Sequence, residues 1–573
     1  MSKELSHKHQ ILLKGGSFDE SNDTVENWLT FLTNTTNLQP GLPNLTIAVG
    51  EWNIFYIHVV FDKAKPSLHA LRLELNSFDE SEVPIFRDPN PADTAPAHAL
   101  TGLPNPYHLH QWVFQLFEQR ELVTLEVPFL TPELPDLFDK LPKLKYVSVK
   151  KSTLVRLPPG FYKLPALHEL NITGSGLPEL PAELATLSSL QRLSFDQPFK
   201  PEVLGSLINL TDVQCYCTDL TVPIEFRKLV NLKSLHLASI ISAPNDLLDF
   251  PSLKFLNLQV SKFTKFRFDT GNAPVLTELV TNSLEVFSTA LGVFKNLRKI
   301  SASGKIYPAD LEPFKKSFSQ LHKLTSLSLN RLEYYNPEKG LYSVRYRDLD
   351  FFETLLNLEY LNLNENGLGR MPLLNNLQNL KELHLRNNQI SDFRELPPNL
   401  EYLDLSKNDF YSIQADLSYL KNVKTLLLNN NKLNAFSISL PSLEHLSLAE
   451  NRLVEIPSGL INLPNLKTIY LNNNLLNSVP QLPVNLELVD LSRNAITQLP
   501  LGLGKLKKLK SLKLNKNPIV DLPELPVMPA IENLEIADTK LPESEYVAMP
   551  TEEIMEKLKA IFPNAQHNLF GFS

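Results

Sequence analysis

One pattern constrains this chain more than any other: L-x-x-L-x-L-x-x-N-x-L, written at Leu380 as Leu380, Leu383, Leu385, Asn388 and Ile390. It returns with starts at Leu358, Leu400, Val423, Leu443, Leu466, Leu486 and Leu509, and fades at Ile531. Self-similarity at a fixed short period is the signature of a stacked-repeat architecture. Within each unit the alternation of apolar and polar residues has period two, which predicts a short strand with Leu383 and Leu385 inward and His384 and Arg386 outward. The asparagine falls where the chain leaves that strand, and its short amide can bond main-chain groups of the turn. Copies stacked in register predict a buried ladder of amides.

A single unit buries about half a dozen apolar side chains, worth roughly 1.5–3 kcal/mol each, while fixing its backbone costs on the order of 1–2 kcal/mol per residue. One unit alone is therefore unfolded, and stability must come from burial between neighbours. From Asn388 to Asn517 the ladder asparagines are spaced 20 and 23 residues apart in alternation, so the full period is 43 residues. Long units carry Ile456-Pro-Ser-Gly-Leu460 or Leu499-Pro-Leu-Gly-Leu503, with room for a helical turn. Short units carry Leu396-Pro-Pro-Asn-Leu400 or Leu482-Pro-Val-Asn-Leu486, kept extended by proline.

On these motifs the chain resembles the leucine-rich repeat proteins. The long form is similar to repeats of scaffold proteins in many organisms, the short form to those of secreted bacterial effectors. The resemblance implies an α/β leucine-rich repeat solenoid: a curved right-handed superhelix with a parallel sheet on its concave face and caps at both ends. It also implies a binding protein, not an enzyme.

The sequence divides into a cap region at 1–66, an early repeat with a Pro-rich insertion and a helix at 67–121, and degenerate repeats at 122–357 that include an insertion at 333–348. Regular repeats follow at 358–541 and a cap at 542–573. In the cap regions, residues 22–32 predict an amphipathic helix, 54–61 a buried strand, and 551–561 a helix closing the last repeat. Residues 107–121 predict a convex-side helix. In the degenerate repeats Ser152, Ser175, Thr218 and Ser261 stand at the ladder position, where shorter hydroxyls make only part of the bonding.

The formal charge of −8 over 573 residues argues against attraction of the whole protein to nucleic acid. The N-terminus lacks the apolar run of a cleaved signal peptide, and no stretch has the length of a transmembrane helix. Only two cysteines occur, Cys215 and Cys217, so no disulfide framework exists and a reducing compartment is favoured. A cytoplasmic location is the expectation, with secretion without a cleaved signal peptide left open. Cys215 falls on an inward strand position; a plain core role is expected, with a redox or metal role as the alternative.

Two surfaces are candidate partner sites. The first is the 333–348 insertion, with Tyr334, Tyr335, Tyr342, Arg345, Tyr346 and Arg347, because insertions in repeat proteins map to surface loops and Tyr and Arg dominate binding hot spots. The second is the outward strand face, where the register places Tyr360, His384, Arg386, Tyr402, Asp404, Leu427, His445, Tyr470 and Asp490. The mixture is polar and dotted with aromatics, as a protein-binding face is. A protein partner is expected, with no nucleic acid, membrane insertion, cofactor or metal, and the chain acting as a monomer.

Catalytic signatures fail on inspection. His384, Asp404 and His445 lie near one another as neighbours on any polar sheet do, without a nucleophile or pocket. Gly502-Leu-Gly504-Lys505 lacks the spacing of a phosphate loop, and His168-Glu169 has no second histidine four residues after the first. The run Lys505, Lys507, Lys508, Lys510, Lys513 and Lys516 is the one dense basic patch, expected on a solvated convex turn.

Overall fold

The computed structural model describes the backbone strands Gln10–Leu12, Asn44–Val49, Phe55–Phe61 and Leu68–Leu75, and most residues from 123 to 568. The exceptions in that span are 127–133, 135, 137, 245–246, 262–266, 269–272, 337–340, 343–349, 480, 500, 542, 545–546 and 551. The helices expected at 22–32 and 107–121 lie outside the described residues. The chain forms two compact units, Met1–Phe266 and Arg267–Ser573.

In the first unit Phe55–Phe61 pairs antiparallel with both Asn44–Val49 and Leu68–Leu75. Leu68–Leu75 then pairs in parallel with Thr124–Glu126, and from there every repeat adds one parallel strand: Tyr146–Ser148, Glu169–Asn171, Arg192–Phe195, Asp212–Cys215, Ser234–Ser242 and Phe255–Val260. In the second unit strands from Glu278–Thr281 to Asn533–Glu535 stack in parallel with leucine opposite leucine, as in Leu361↔Leu383 and Leu383↔Leu403. The motif leucines point inward, Leu383 on its strand and Leu385 just past its end being fully buried, as the period-two reading requires. The long units close with 3-10 turns at Leu460–Asn462 and Leu501–Lys505.

The amide ladder is present and its bonds are specific. Asn431 donates from Nδ2 to the carbonyls of Leu405 at 3.0 Å and Leu428 at 3.0 Å, and its Oδ1 accepts from the Phe410 N–H at 3.2 Å. Asn408, Asn451, Asn474, Asn494 and Asn517 repeat this arrangement. Each amide thus ties its own turn to the preceding one, where main-chain groups would otherwise be buried without partners. The residue before each asparagine is left-handed, including Lys407 at φ 52°, Glu450 at 55° and Arg493 at 55°. That conformation costs a non-glycine residue on the order of 1 kcal/mol, which the amide bonds offset.

The degenerate repeats depart from expectation. Ser152 Oγ is buried with no hydrogen-bond partner, too short for the reach an amide has. Thr218 is exposed, and the inward position belongs to Cys217. One repeat earlier, Gln197 supplies the ladder amide, donating to the Ile172 carbonyl at 3.1 Å. A second row of amides is exposed. Asn209, Asn231, Asn379, Asn465 and Asn485, each preceding a leucine, donate to a carbonyl of the previous repeat at 2.7–3.0 Å.

The 333–348 insertion is not wholly a loop. The Ser326–Asn336 strand follows Lys299–Ile306 as far as Ile306↔Tyr334, and Tyr335 pairs antiparallel with Tyr342. Main-chain pairing has been extended past the leucine-bearing segment. At the other end, the helix Glu552–Ile561 buries Ile554, Leu558 and Ile561 as read from the sequence. It does not finish the sheet: Gln566–Asn568 follows and pairs in parallel with Asn533–Glu535.

Replacing Asn431 by Ala should lower stability by about 1–3 kcal/mol, since it strands the buried Phe410 N–H and leaves the Leu405 and Leu428 carbonyls with one amide donor each, from Asn408 and Asn451. Asn399, which precedes Leu400 and donates to the Gln378 carbonyl at 2.8 Å, belongs to the exposed row, and Asn399→Ala should cost about 0.5 kcal/mol or less. Urea denaturation midpoints of the two variants distinguish these outcomes.

Candidate protein-binding face

The outward positions of consecutive strands lie side by side, about 4.8 Å apart, so residues far apart in sequence form continuous rows. Tyr360, His384 and Tyr402, from three adjacent strands, make an aromatic stack. Ring centroids are 5.1 Å apart for Tyr360 and His384 and 4.7 Å for His384 and Tyr402. The rings shield one another, so all three are half-buried although they stand on the outer face. Burial holds the His384 pKa below its ordinary 6.5, outweighing Asp404 and Glu382 beside it. Its Nε2 has no hydrogen-bond partner, the Glu382 carboxylate being 3.7 Å away. The Tyr402 hydroxyl is pushed up by burial, then by Asp404 and Glu382.

Beyond the stack come Leu427, half-buried, then His445 and Tyr470, both exposed, Tyr470 to 37%. His445 Nδ1 lies 2.8 Å from Thr468 Oγ1. The far end is ionic: Lys513 bridges to Glu535 at 2.8 Å, and Asp490 lies in register beside Lys513. Asp490 Oδ1 accepts from the Ser492 N–H and hydroxyl at 3.0 and 2.6 Å. Arg386 is exposed.

Asp404 sits in the same row, between His384 and Leu427. It was read as an outward group, yet it is only 5% exposed, and its Oδ1 accepts from the Ser406 N–H and hydroxyl at 2.9 and 2.6 Å. A short side chain between longer neighbours on a sheet is shielded by them, and Ser406 is fully buried for the same reason. Asp404 Oδ1 therefore holds the turn that follows its strand. Of the insertion residues, Tyr334, Tyr335 and Tyr342 lie on the paired strands described above, while Arg345, Tyr346 and Arg347 fall outside the described residues.

The lysine run does not form one basic patch. Lys510 pairs with Glu487 at 2.9 Å, Lys513 with Glu535, and Lys516 with Asp538 at 3.9 Å. Lys510 belongs to a charge pattern missed in the sequence. At the residue following the first leucine of each repeat, Glu359, Lys381, Glu401, Lys424, Glu444, Lys467, Glu487 and Lys510 alternate in sign. Lys381–Glu359 and Lys424–Glu401 pair at 2.9 and 2.6 Å, and Lys467 bridges Glu444. These pairs are exposed and each contributes little, but they leave this edge neutral. The strand face of the first unit also carries aromatics: the Arg192 guanidinium lies 5.8 Å from the Tyr146 ring centre while bonding Glu169, and Tyr216 packs on His236 at 4.8 Å. The same register rule, applied upstream of Leu358, finds them.

Among the described residues no group of three or more His, Cys, Asp or Glu could hold a metal ion, and no helix is long and apolar enough to cross a membrane. The arrangement offers contact area and hydrogen bonds.

The leucine-rich repeat family model, built on two repeat copies, matches residues 356–398, 441–483 and 484–527. Several solved structures are similar to this chain. Toll of Drosophila, from its complex with Spatzle, is 18% identical, with 88% of this chain and 69% of that one covered at a TM-score of 0.52. A leucine-rich repeat protein of Leptospira interrogans is 23% identical over 77% of this chain and 93% of its own, TM-score 0.48. YopM of Yersinia enterocolitica is 20% identical over 78% and 91%, TM-score 0.47. A comparison with characterised protein sequences gives no match. The chain is a leucine-rich repeat protein, and its fold is a solenoid of the kind that typically serves as a protein-binding scaffold.

Because the folded-state pKa of His384 is depressed, the unfolded chain takes up the proton first as pH falls below about 6.5. Its contribution to stability is present above that value and is lost on acidification. Between about pH 7.5 and pH 5.5 the melting temperature should fall less in His384→Phe than in the parent chain, as thermal melts at both pH values would read.

Proposed function

We propose that this chain is a non-enzymatic scaffold that holds a protein partner against the outward strand face of residues 358–541. The observation that carries this reading is the aromatic stack of Tyr360, His384 and Tyr402, half-buried rings held in place on an otherwise polar surface. Aromatic side chains immobilised before binding lose little entropy when a partner covers them, and Tyr is enriched in the energetic centres of interfaces. Leu427, His445 and Tyr470 extend the apolar strip, and Arg386 and Asp490 supply polar contacts at its margin. Tyr334, Tyr335, Tyr342, Arg345, Tyr346 and Arg347 of the insertion, one repeat before the stack in sequence, are proposed as further partner contacts. The chain acts as a cytoplasmic monomer without cofactor.

Cross-linking in the native cell identifies the partner, and its affinity for the full chain then tests the face. Tyr360→Ala and Tyr402→Ala should each weaken binding about tenfold or more, equivalent to roughly 1.4 kcal/mol. Lys507→Ala and Lys508→Ala should leave it unchanged. Unaltered affinity in both tyrosine variants would remove the stack from the interface. The alternating 20-residue units favour a second reading, an exported effector that modulates a host signalling protein by docking; recovery of the protein outside the producing cell separates the two.

A further inference from the structure

The two cysteines are brought together in a way that core packing does not require. Cys215 is the inward residue at the end of the Asp212–Cys215 strand, in register with Phe195 on one side and Leu237 on the other. Cys217 lies two residues on and points to the same side, since alternate residues of an extended chain share a face. Cys215 is 0% exposed and Cys217 6%, and both are free thiols. Their sulfurs are 3.3 Å apart, with Cys215 donating to Cys217, and Cys217 donates in turn to the Gln197 carbonyl at 3.0 Å.

A single thiol at residue 217 would replace the ladder amide as a donor to the preceding repeat. It leaves the second sulfur unexplained, because the neighbouring repeats fill the Cys215 position with Phe195 and Leu237. From these contacts we infer that Cys215 and Cys217 form a peroxide-responsive dithiol that closes to an intrachain disulfide around Tyr216.

The hydrogen bond from Cys215 favours the Cys217 thiolate and lowers that group's pKa, while the same bond and burial push Cys215 up. Cys217 is accordingly the nucleophile, and it is also the member of the pair that retains some exposure. Its sulfur attacks one oxygen of hydrogen peroxide, breaking the O–O bond to give a sulfenic acid and water. Cys215 sulfur then attacks the sulfenic sulfur, the S–S bond forms, and the hydroxyl leaves as water with the Cys215 proton. Two thiols lose two electrons in all, and the peroxide takes them. Closing the bond brings the sulfurs from 3.3 Å to about 2.05 Å. The motion draws Cys217 from the Gln197 carbonyl and turns Tyr216, which is 40% exposed and packed on His236. Oxidation would thus be read out on the strand face of the first unit.

Because the chain has only two cysteines, the mass of the peptide that carries both, cut from the full native protein after treatment, reads them apart from the five methionines. Treatment with millimolar hydrogen peroxide should lower the mass of that peptide by about 2 Da, abolish alkylation of both residues after unfolding, and be reversed by dithiothreitol. Cys215→Ser should instead gain about 16 or 32 Da at Cys217, with no species lighter by 2 Da. An unchanged parent mass with both thiols still alkylated would overturn the proposal. So would a stable gain of about 32 Da, or a disulfide that joins two chains.

Discussion

The structure depends on one constraint: a chain that turns sharply after every short strand must find partners for the main-chain groups of the turn, in a place water does not reach. The regular repeats meet it with a single amide. Asn431 serves Leu428 in its own repeat and Leu405 and Phe410 in the preceding one, so the bonds that finish one turn also join two. A left-handed residue precedes each of these asparagines, and Lys151 before Ser152 makes the same bend where no amide follows. Cooperative stacking follows from the same geometry: removing one repeat deprives its neighbour of hydrogen bonds as well as apolar cover.

Where the asparagine is missing, the fold shows what the constraint tolerates. Gln197 reaches the Ile172 carbonyl with a longer side chain, Cys217 offers a thiol to Gln197, and Ser152 leaves its hydroxyl unpaired. The strands continue regardless, because the inward positions stay apolar and buried, as at Val147, Leu193, Phe195 and Val213, and the exposed Asn209 and Asn231 still bridge successive repeats. Apolar register sets the sheet, while the amide sets how firmly each turn is held.

The same register that buries the leucines puts every other side chain on the outer face, in rows running across the sheet. Neutral pairing of Lys381, Lys424, Lys467 and Lys510 with glutamates of the preceding repeats occupies one edge. Aromatic rings gather on the strands from Tyr360 to Tyr402, and the Lys513–Glu535 bridge marks the ionic end. A surface divided in this way has graded chemistry along its length, which suits recognition of a protein better than electrostatic capture of a polyanion.

By itself the sequence determined the strands, their inward leucines, the amide ladder and which residues are outward, because all four follow from a short period repeated many times. The alternating Glu and Lys row was equally legible, one residue beyond the positions that were read. Tertiary packing alone decided which outward groups remain available. Tyr360, His384 and Tyr402 stack, and Asp404 sinks to 5% exposure beneath longer neighbours, since shielding depends on side-chain length in adjacent strands. It also decided that Gln197 and Cys217, not Thr218, serve the degenerate turns, and that a strand follows the helix Glu552–Ile561. Once the period falters, a shift of one residue at a bend is invisible to pattern and is settled by which side chain can reach a carbonyl.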